Sequence, residues 1–276
     1  MTSTRPARRS ARRTAAAPPT ATGRAATSRA ATARAATVSA AAVALLLSGC
    51  SLVFEGEWSK RTTADATVAE AVTAVEMTDG RSGDVEVVPG SGPGVRVQRT
   101  VRYRGDTAPR PTQQVRDGVL SFAAGCAGNC RIDYRLEVPA GAKVKLRTSS
   151  GDIKVTGVAE ADLYADSGAV RADAVAGPVR IRTSSGSITA SALVGPTADI
   201  RTDSGDARVA FTTAPTSVTA RASSGDVTLT VPPAGPYRVE ASTDSGIRDI
   251  TVPTAPTAPH TLKATTSSGD LHITTT

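Results

Sequence analysis

At 276 residues the chain is long enough for one or two domains, yet only 3% of it is aromatic and 24 residues are glycine, so the bulky side chains of an ordinary globular core are scarce. The formal net charge is +7, but residues 1–49 hold eight arginines (Arg5, Arg8, Arg9, Arg12, Arg13, Arg24, Arg29, Arg34) and no acid, leaving 24 basic against 25 acidic residues from Cys50 onward. The basic excess belongs to the leader, which removes the main argument for a nucleic-acid partner.

Residues 1–49 read as a lipoprotein signal peptide. An Arg/Ala/Thr-rich stretch leads into an apolar run from Val38 to Leu47, too short for a mature bilayer-spanning helix, and then into Leu47-Ser48-Gly49-Cys50. Small residues directly before a cysteine resemble the lipobox of bacterial lipoproteins. That resemblance implies lipidation of Cys50, which becomes the mature N-terminus and ties the chain to the membrane through a lipid anchor of two or more acyl chains. The expected location is extracytoplasmic, on the outer face of the bacterial cytoplasmic membrane; an ordinary secretory signal with an incidental cysteine is the alternative. Arg8-Arg9 and Arg12-Arg13 leave twin-arginine export open beside the Sec route, and the long leader leaves the start codon open. Residues 50–66 are the lipidated N-terminus and a tether, in which Phe54 and Trp58 either reach the membrane interface or pack on the body.

Residues 67–139 read as irregular N-terminal β coils, with strand patterns at Val72–Met77, Asp84–Val88, Val95–Tyr103, Val119–Ala123 and Ile132–Val138. Ser82-Gly83-Asp84-Val85 looks like a degenerate corner of the kind that recurs further on. Cys126 and Cys130 form an isolated close pair. In an oxidising compartment such a pair reads as a disulfide across a hairpin tip, because no second pair or nearby histidine completes a zinc site. A redox role is the alternative, although the spacing departs from Cys-x-x-Cys.

From residue 140 to 276 a Ser/Asp-Ser-Gly corner recurs seven times, with its glycines at Gly151, Gly168, Gly186, Gly205, Gly225, Gly246 and Gly269, 17 to 23 residues apart. The seventh and fifth residues before each glycine are apolar (Val144 and Leu146, Val179 and Ile181, Ala198 and Ile200), so the segment alternates with period two. After the glycine the apolar positions are the second and fourth, as in Ile153 and Val155. The inward phase therefore shifts at the corner, where glycine supplies a positive φ. The Gly246-Ile247-Arg248-Asp249-Ile250 copy breaks the pattern and predicts a local bulge.

The outward sixth position before glycine alternates in sign wherever it is charged: Lys145, Asp162, Arg180, Asp199, Thr219, Glu240, Lys263. If successive copies stack directly above one another, opposite charges become cross-strand neighbours, whereas identical charges would repel. This predicts an all-β chain, a single-chain β-solenoid resembling a parallel β-helix, with independent antiparallel hairpins as the rival. The chain ends within a strand, Leu271–Thr276, so an open edge and weak self-association are expected there.

The lipobox, the cysteine segment leading into Asp133-Tyr134-Arg135-Leu136-Glu137-Val138-Pro139, and the repeated Ser-Ser-Gly-Asp-Ile/Val/Leu corners resemble a bacterial family of β-strand-repeat domains of unknown function of the adhesin type. The resemblance spans about residues 67–276. It implies a surface β-solenoid and offers no catalytic residues to carry over.

No enzyme activity, cofactor or metal is expected. Glycan cleavage needs convergent acids, whereas these acids recur in a ladder, and only His260 and His272 are available for a Ser-His-Asp arrangement. Asp152, Asp206, Asp226 and Asp270 after the glycines suggest calcium, but the paired-glycine nonapeptide of calcium β-rolls is absent, and turn-amide bonding by Asp and Ser accounts for them. The expected function is a cell-surface adhesin-like binding or structural module, meeting an envelope protein or a cell-wall polymer. Few aromatics are present for stacking on sugars, which favours protein contact over tight glycan binding. The alternative is an envelope sensor or accessory subunit of a membrane protein complex.

Overall fold

The computed structural model describes residues 60–122, 125–126 and 128–276. The leader, Cys50, Phe54 and Trp58 lie outside the described residues. The N-terminal strands are β1 (Lys60–Val68), β2 (Ala74–Ser82), β3 (Val85–Pro89), β4 (Val95–Tyr103), β5 (Gln113–Arg116), β6 (Val119–Phe122) and β7 (Cys130–Val138). Five corner copies follow as β8 (Lys143–Ser150) and β9 (Ile153–Thr156), β10 (Glu160–Ser167) and β11 (Val170–Asp173), β12 (Val179–Ser185) and β13 (Ile188–Leu193), β14 (Thr197–Ser204) and β15 (Ala207–Phe211), β16 (Ser217–Ser224) and β17 (Val227–Val231). The last two are β18 (Arg238–Ser245) with β19 (Arg248–Ile250), and β20 (Thr261–Ser268) with β21 (Leu271–Thr275).

Each rung places its first strand in a ten-stranded sheet, turns at the glycine, and places its second strand in an eleven-stranded sheet. Successive rungs pair in parallel and in register, Lys145 with Asp162 and Asp162 with Arg180, which gives a β-solenoid and disposes of independent hairpins. The inward rows of both sheets, such as Leu146, Leu163, Ile181 and Ile200 facing Ile153, Val170, Ile188 and Val209, form one continuous buried core. Antiparallel pairing is confined to β1–β4, β4–β7 and β5–β6 at the N-terminal end.

The corner glycines are sterically obligatory. Gly205 has φ +133°, and a Cβ there would lie 2.4 Å from the carbonyl oxygen of Gly186, the corner one rung below. Gly83 sits at φ +128° between β2 and β3, so Ser82-Gly83-Asp84 is a further corner of the same stack.

Four expectations need correction. Residues 60–66 belong to β1 rather than to a tether; the segment Lys60-Arg61-Thr62-Thr63 is exposed, so no apolar alternation announces it, and pairing to β4 holds it. The cysteine segment is not a hairpin tip: β6 pairs with β5 and β2, β7 pairs with β4 and β3, and the two strands lie in different sheets.

The third correction concerns the C-terminus. Spatial order runs β16, β20, β18 in one sheet and β17, β21, β19 in the other, so the last-made rung is inserted between its two predecessors. Leu271–Thr275 is an interior strand, and the open edge belongs to β18 and β19. Fourth, the Gly246 copy contains no bulge. Arg248 pairs with Leu271 and Ile250 with Ile273, in step with the rungs below.

The inserted order has a physical cause. In the stack, the aspartate after a corner glycine accepts the amide of the rung above: Asp226 N–H bonds to Asp206 Oδ1 (3.1 Å), Asp270 N–H to Asp226 Oδ1 (2.8 Å), and Ile247 N–H to Asp270 Oδ1 (2.8 Å). Ile247 cannot accept in its turn, so its rung satisfies the ladder only at the end. Arg248 occupies a core-facing position that a second neighbour would leave as a buried charge. At the open end it crosses the last rung and donates to the Ala241 carbonyl (3.1 Å). An inward-pointing charge on an edge strand is a known means of blocking further pairing.

Candidate functional site

The corner residues that stood out in the sequence are occupied by the architecture. Besides the Asp206–Asp226–Asp270 ladder, Asp133 Oδ1 accepts from Asp84 N–H, Asp84 Oδ1 from Asp152 N–H (2.9 Å), and Asp152 Oδ1 from Ala169 N–H (2.9 Å). These bonds run between rungs rather than within turns. Buried threonines add a second row: Thr202 Oγ1 donates to Gly186 O (3.1 Å) and Thr266 Oγ1 to Gly225 O (2.9 Å). Among the described residues no group of three or more His, Cys, Asp or Glu is placed to hold a metal ion.

The two histidines are not brought together with a serine nucleophile. His260 Nδ1 lies 2.8 Å from the Pro215 carbonyl, and His272 Nδ1 lies 3.6 Å from Asp249 Oδ2 on the neighbouring strand. Cys126 and Cys130 are bonded to each other, with their Cα atoms 5.7 Å apart. Cys126 helps line a cavity of about 30 Å³ beside Met77, Phe122, Ile132 and Tyr134, which is room for roughly one water.

At the N-terminal end the outward face of the eleven-stranded sheet carries an ion-pair network. Arg131 contacts both Asp133 (2.9 Å) and Asp84 (2.6 Å), Arg102 contacts Asp133, and Glu86 bridges Arg135 and Lys154. Burial works against ionisation of Asp133, but the Arg131 hydrogen bond, the Asp84 amide and the charges of Arg131 and Arg102 together hold its carboxyl below the ordinary aspartate value. The Lys154 hydrogen bond, against some burial and with help from Arg135, lowers that of Glu86.

The outward face of the ten-stranded sheet is organised in columns by the register. The sixth position before glycine reads, in spatial order, Lys145, Asp162, Arg180, Asp199, Thr219, Lys263, Glu240, and Glu76 of β2 pairs with Lys145 ahead of them, so that sign alternates wherever charge is present. Two residues along, the fourth position of the seven regular rungs reads Arg147, Tyr164, Arg182, Arg201, Arg221, Thr265, Ser242 and contains no acid, while the irregular β2 rung beside Arg147 carries Asp79 four residues before Gly83. Sequence reasoning followed the first column and overlooked the second, although its signal, Arg at the fourth residue before Gly151, Gly186, Gly205 and Gly225, was visible.

The family model for Toastrack DUF4097 matches residues 112–274. The chain belongs to the Toastrack family. The Toastrack match runs from just before β5 into β21 and so takes in all seven regular corners, while β1 to β4 precede it. Among solved structures, the chain is similar to a putative adhesin from Bacteroides fragilis NCTC 9343, at 13% identity and a TM-score of 0.48, covering 79% of this chain and 97% of that one. It is also similar to a putative adhesin from Parabacteroides merdae ATCC 43184, at 14% identity and a TM-score of 0.40, over 79% and 96%. A putative lipid binding protein from Parabacteroides distasonis ATCC 8503 follows at 12% identity and a TM-score of 0.37, over 78% and 96%. No curated protein sequence matches the chain. The fold assignment rests on the Toastrack match and on the strand register.

Proposed function

We propose that this Toastrack chain is a lipid-anchored protein of the bacterial cell surface that acts as a non-enzymatic, adhesin-like binding module. The observation that carries the reading is the in-register stacking of rungs, which turns single outward residues into continuous columns along the ten-stranded sheet. Such a face suits extended contact. The residues with chemical potential, the corner aspartates and both histidines, are engaged by backbone groups or neighbouring strands. The Cys50 motif supplies the anchor in this reading.

Retention of the full-length protein on purified cell walls or on cells tests the binding role. Measurable retention is expected; no retention, together with cross-linking in cells that captures one membrane protein, would replace this reading with that of an accessory subunit. Cys50→Ala should release the protein from membranes into the medium, and unchanged membrane association would remove the lipid anchor.

A further inference from the structure

We propose that the arginine column of the ten-stranded sheet docks a linear anionic polymer of the cell envelope through oxyanions carried along its length, an inference that rests on the binding-module reading. The argument begins with a contrast inside one face. Rungs are about 4.8 Å apart, and like charges directly opposite one another on neighbouring strands are destabilising. The sixth-position column obeys that rule by alternating sign. The fourth-position column violates it: Arg182, Arg201 and Arg221 follow one another on adjacent rungs. Stability alone does not account for three consecutive guanidinium groups where an alternating solution stands two residues away.

Nor does the surrounding chain neutralise the column. Asp199 is shared among Arg201 (3.0 Å), Arg182 (3.4 Å) and Arg180 (3.9 Å), so one carboxylate serves three guanidinium groups. Arg221 makes no ion pair among the described residues, and Arg147 lies over the Tyr164 ring at 5.4 Å. Asp166 and Asp203 stand on the corner side, and Asp166 is engaged by the Tyr164 hydroxyl, raising the pKa of that phenol. Across the rungs from β8 to β16 the three outward columns hold Lys145 and five arginines against Asp162, Asp166, Asp199 and Asp203. The excess is modest and concentrated in one line.

That line defines the ligand. From Arg147 to Arg221 the column spans four rung steps, about 19 Å at the spacing of adjacent strands, and the open depression of about 450 Å³ on this sheet face reaches only its last two arginines, Arg201 and Arg221. A compact ligand would meet one or two arginines; an extended polymer running along the solenoid axis meets them all. The planar guanidinium fork pairs with carboxylate or phosphate oxygens in two-point contacts. Stacking on sugars is not required, so the scarcity of aromatic residues does not argue against it.

The test uses the full-length chain with two probes, polygalacturonate and long-chain inorganic polyphosphate, which separate carboxylate from phosphate as the preferred oxyanion. Binding of at least one is expected, weakening as salt rises. R182S/R201S/R221S should lower affinity at least tenfold, whereas K154S/R171S/R208S, which removes the same charge from the other sheet, should leave it within twofold. Should the triple variant fail to fold, Arg221→Ser alone, with no ion pair to lose, should weaken binding at least twofold with an unchanged melting temperature. The proposal is overturned if neither polymer binds at low salt, if both triple variants lose affinity equally, or if duplex DNA binds as tightly as the polymers. Wall retention that survives R182S/R201S/R221S would sink the arginine column and leave the binding module standing; absence of wall retention in the wild type would sink the module itself.

Discussion

The middle of the solenoid and its last rung are built from one repeat, yet they solve opposite problems. Between β8 and β17 every rung has a neighbour on both sides, and inward positions hold fully buried residues such as Leu146, Ile181, Ile200 and Leu229. The β18–β19 rung has one neighbour. There the inward residues Val239 and Ala241 are half-buried, Arg248 replaces an apolar side chain, and Ile247, in place of the ladder aspartate, is 66% exposed. Beyond Tyr237, whose backbone bonds to Pro253 and Ala255, a proline-rich segment covers the start of the edge. A departure from the repeat is thus a property of position, and it marks the end of the stack more faithfully than the end of the chain does.

The largest effect that separates the regions is expected at the corners. Gly205→Ala forces a Cβ against Gly186 O from a backbone at φ +133° with neighbours above and below, and should cost about 4 kcal/mol or prevent folding. Gly235 has φ +103° and open space around the same Cβ, so Gly235→Ala should cost only about 1 kcal/mol. Urea unfolding measures both; equal losses would mean that rung stacking does not dictate the glycines.

The core gives the next largest contrast. Ile200→Ala, in a fully buried site between two rungs, should cost about 3–4 kcal/mol. Ile250→Ala, half-buried on the terminal strand, should cost under about 1 kcal/mol, since its site is already open on one side. Comparable values would show that β18–β19 is covered by something further.

Much of this architecture was legible in the sequence, for a local reason. From Val144 to Leu229 the period-two alternation and the glycine corners are contained within each copy, so reading one copy reads them all. β1 was not legible because Lys60–Ala66 lies on a sheet edge and buries little. The inserted order of the last rungs was not, because strand order is a non-local pairing choice, although Ile247 and Arg248 carried the signal and were misread as a bulge. The arginine column needed only the same count from glycine that revealed the alternating column beside it. What sequence reasoning lacked was a second neighbour for each residue, which stacking provides.

Arg248 tests whether the terminal rung guards the edge. Arg248→Leu removes the charge from the core-facing position and frees the Ala241 carbonyl, so sedimentation should show concentration-dependent end-to-end association while the wild type stays monomeric through this end. Deletion of residues 262–276 would remove an interior rung and should unfold this end rather than trim an edge. A monomeric Arg248→Leu variant would leave the prolines as the effective guard.

The two ends should also part under acid, with the smallest effect of the set. Asp133 binds the Asp84 amide, Arg131 and Arg102, and its folded pKa lies below the ordinary 3.8. A depressed carboxylate pKa stabilises the folded state in full above the ordinary value, and the contribution is lost as pH falls through the folded value. The window is therefore below 3.8, and hydrogen exchange in β4 and β7 should accelerate there before exchange in β14 to β17. Glu240 at the other end is also lowered, chiefly by its hydrogen bond to Lys263, but that pair is exposed, so salt should erase its contribution and leave most of the partly buried Asp133 network. Asp133→Asn should reduce protection in β7 at neutral pH and match the wild type at the acid limit. Identical pH profiles for variant and wild type would mean that the network is a surface ornament and that β4–β7 pairing holds this end by backbone bonds alone.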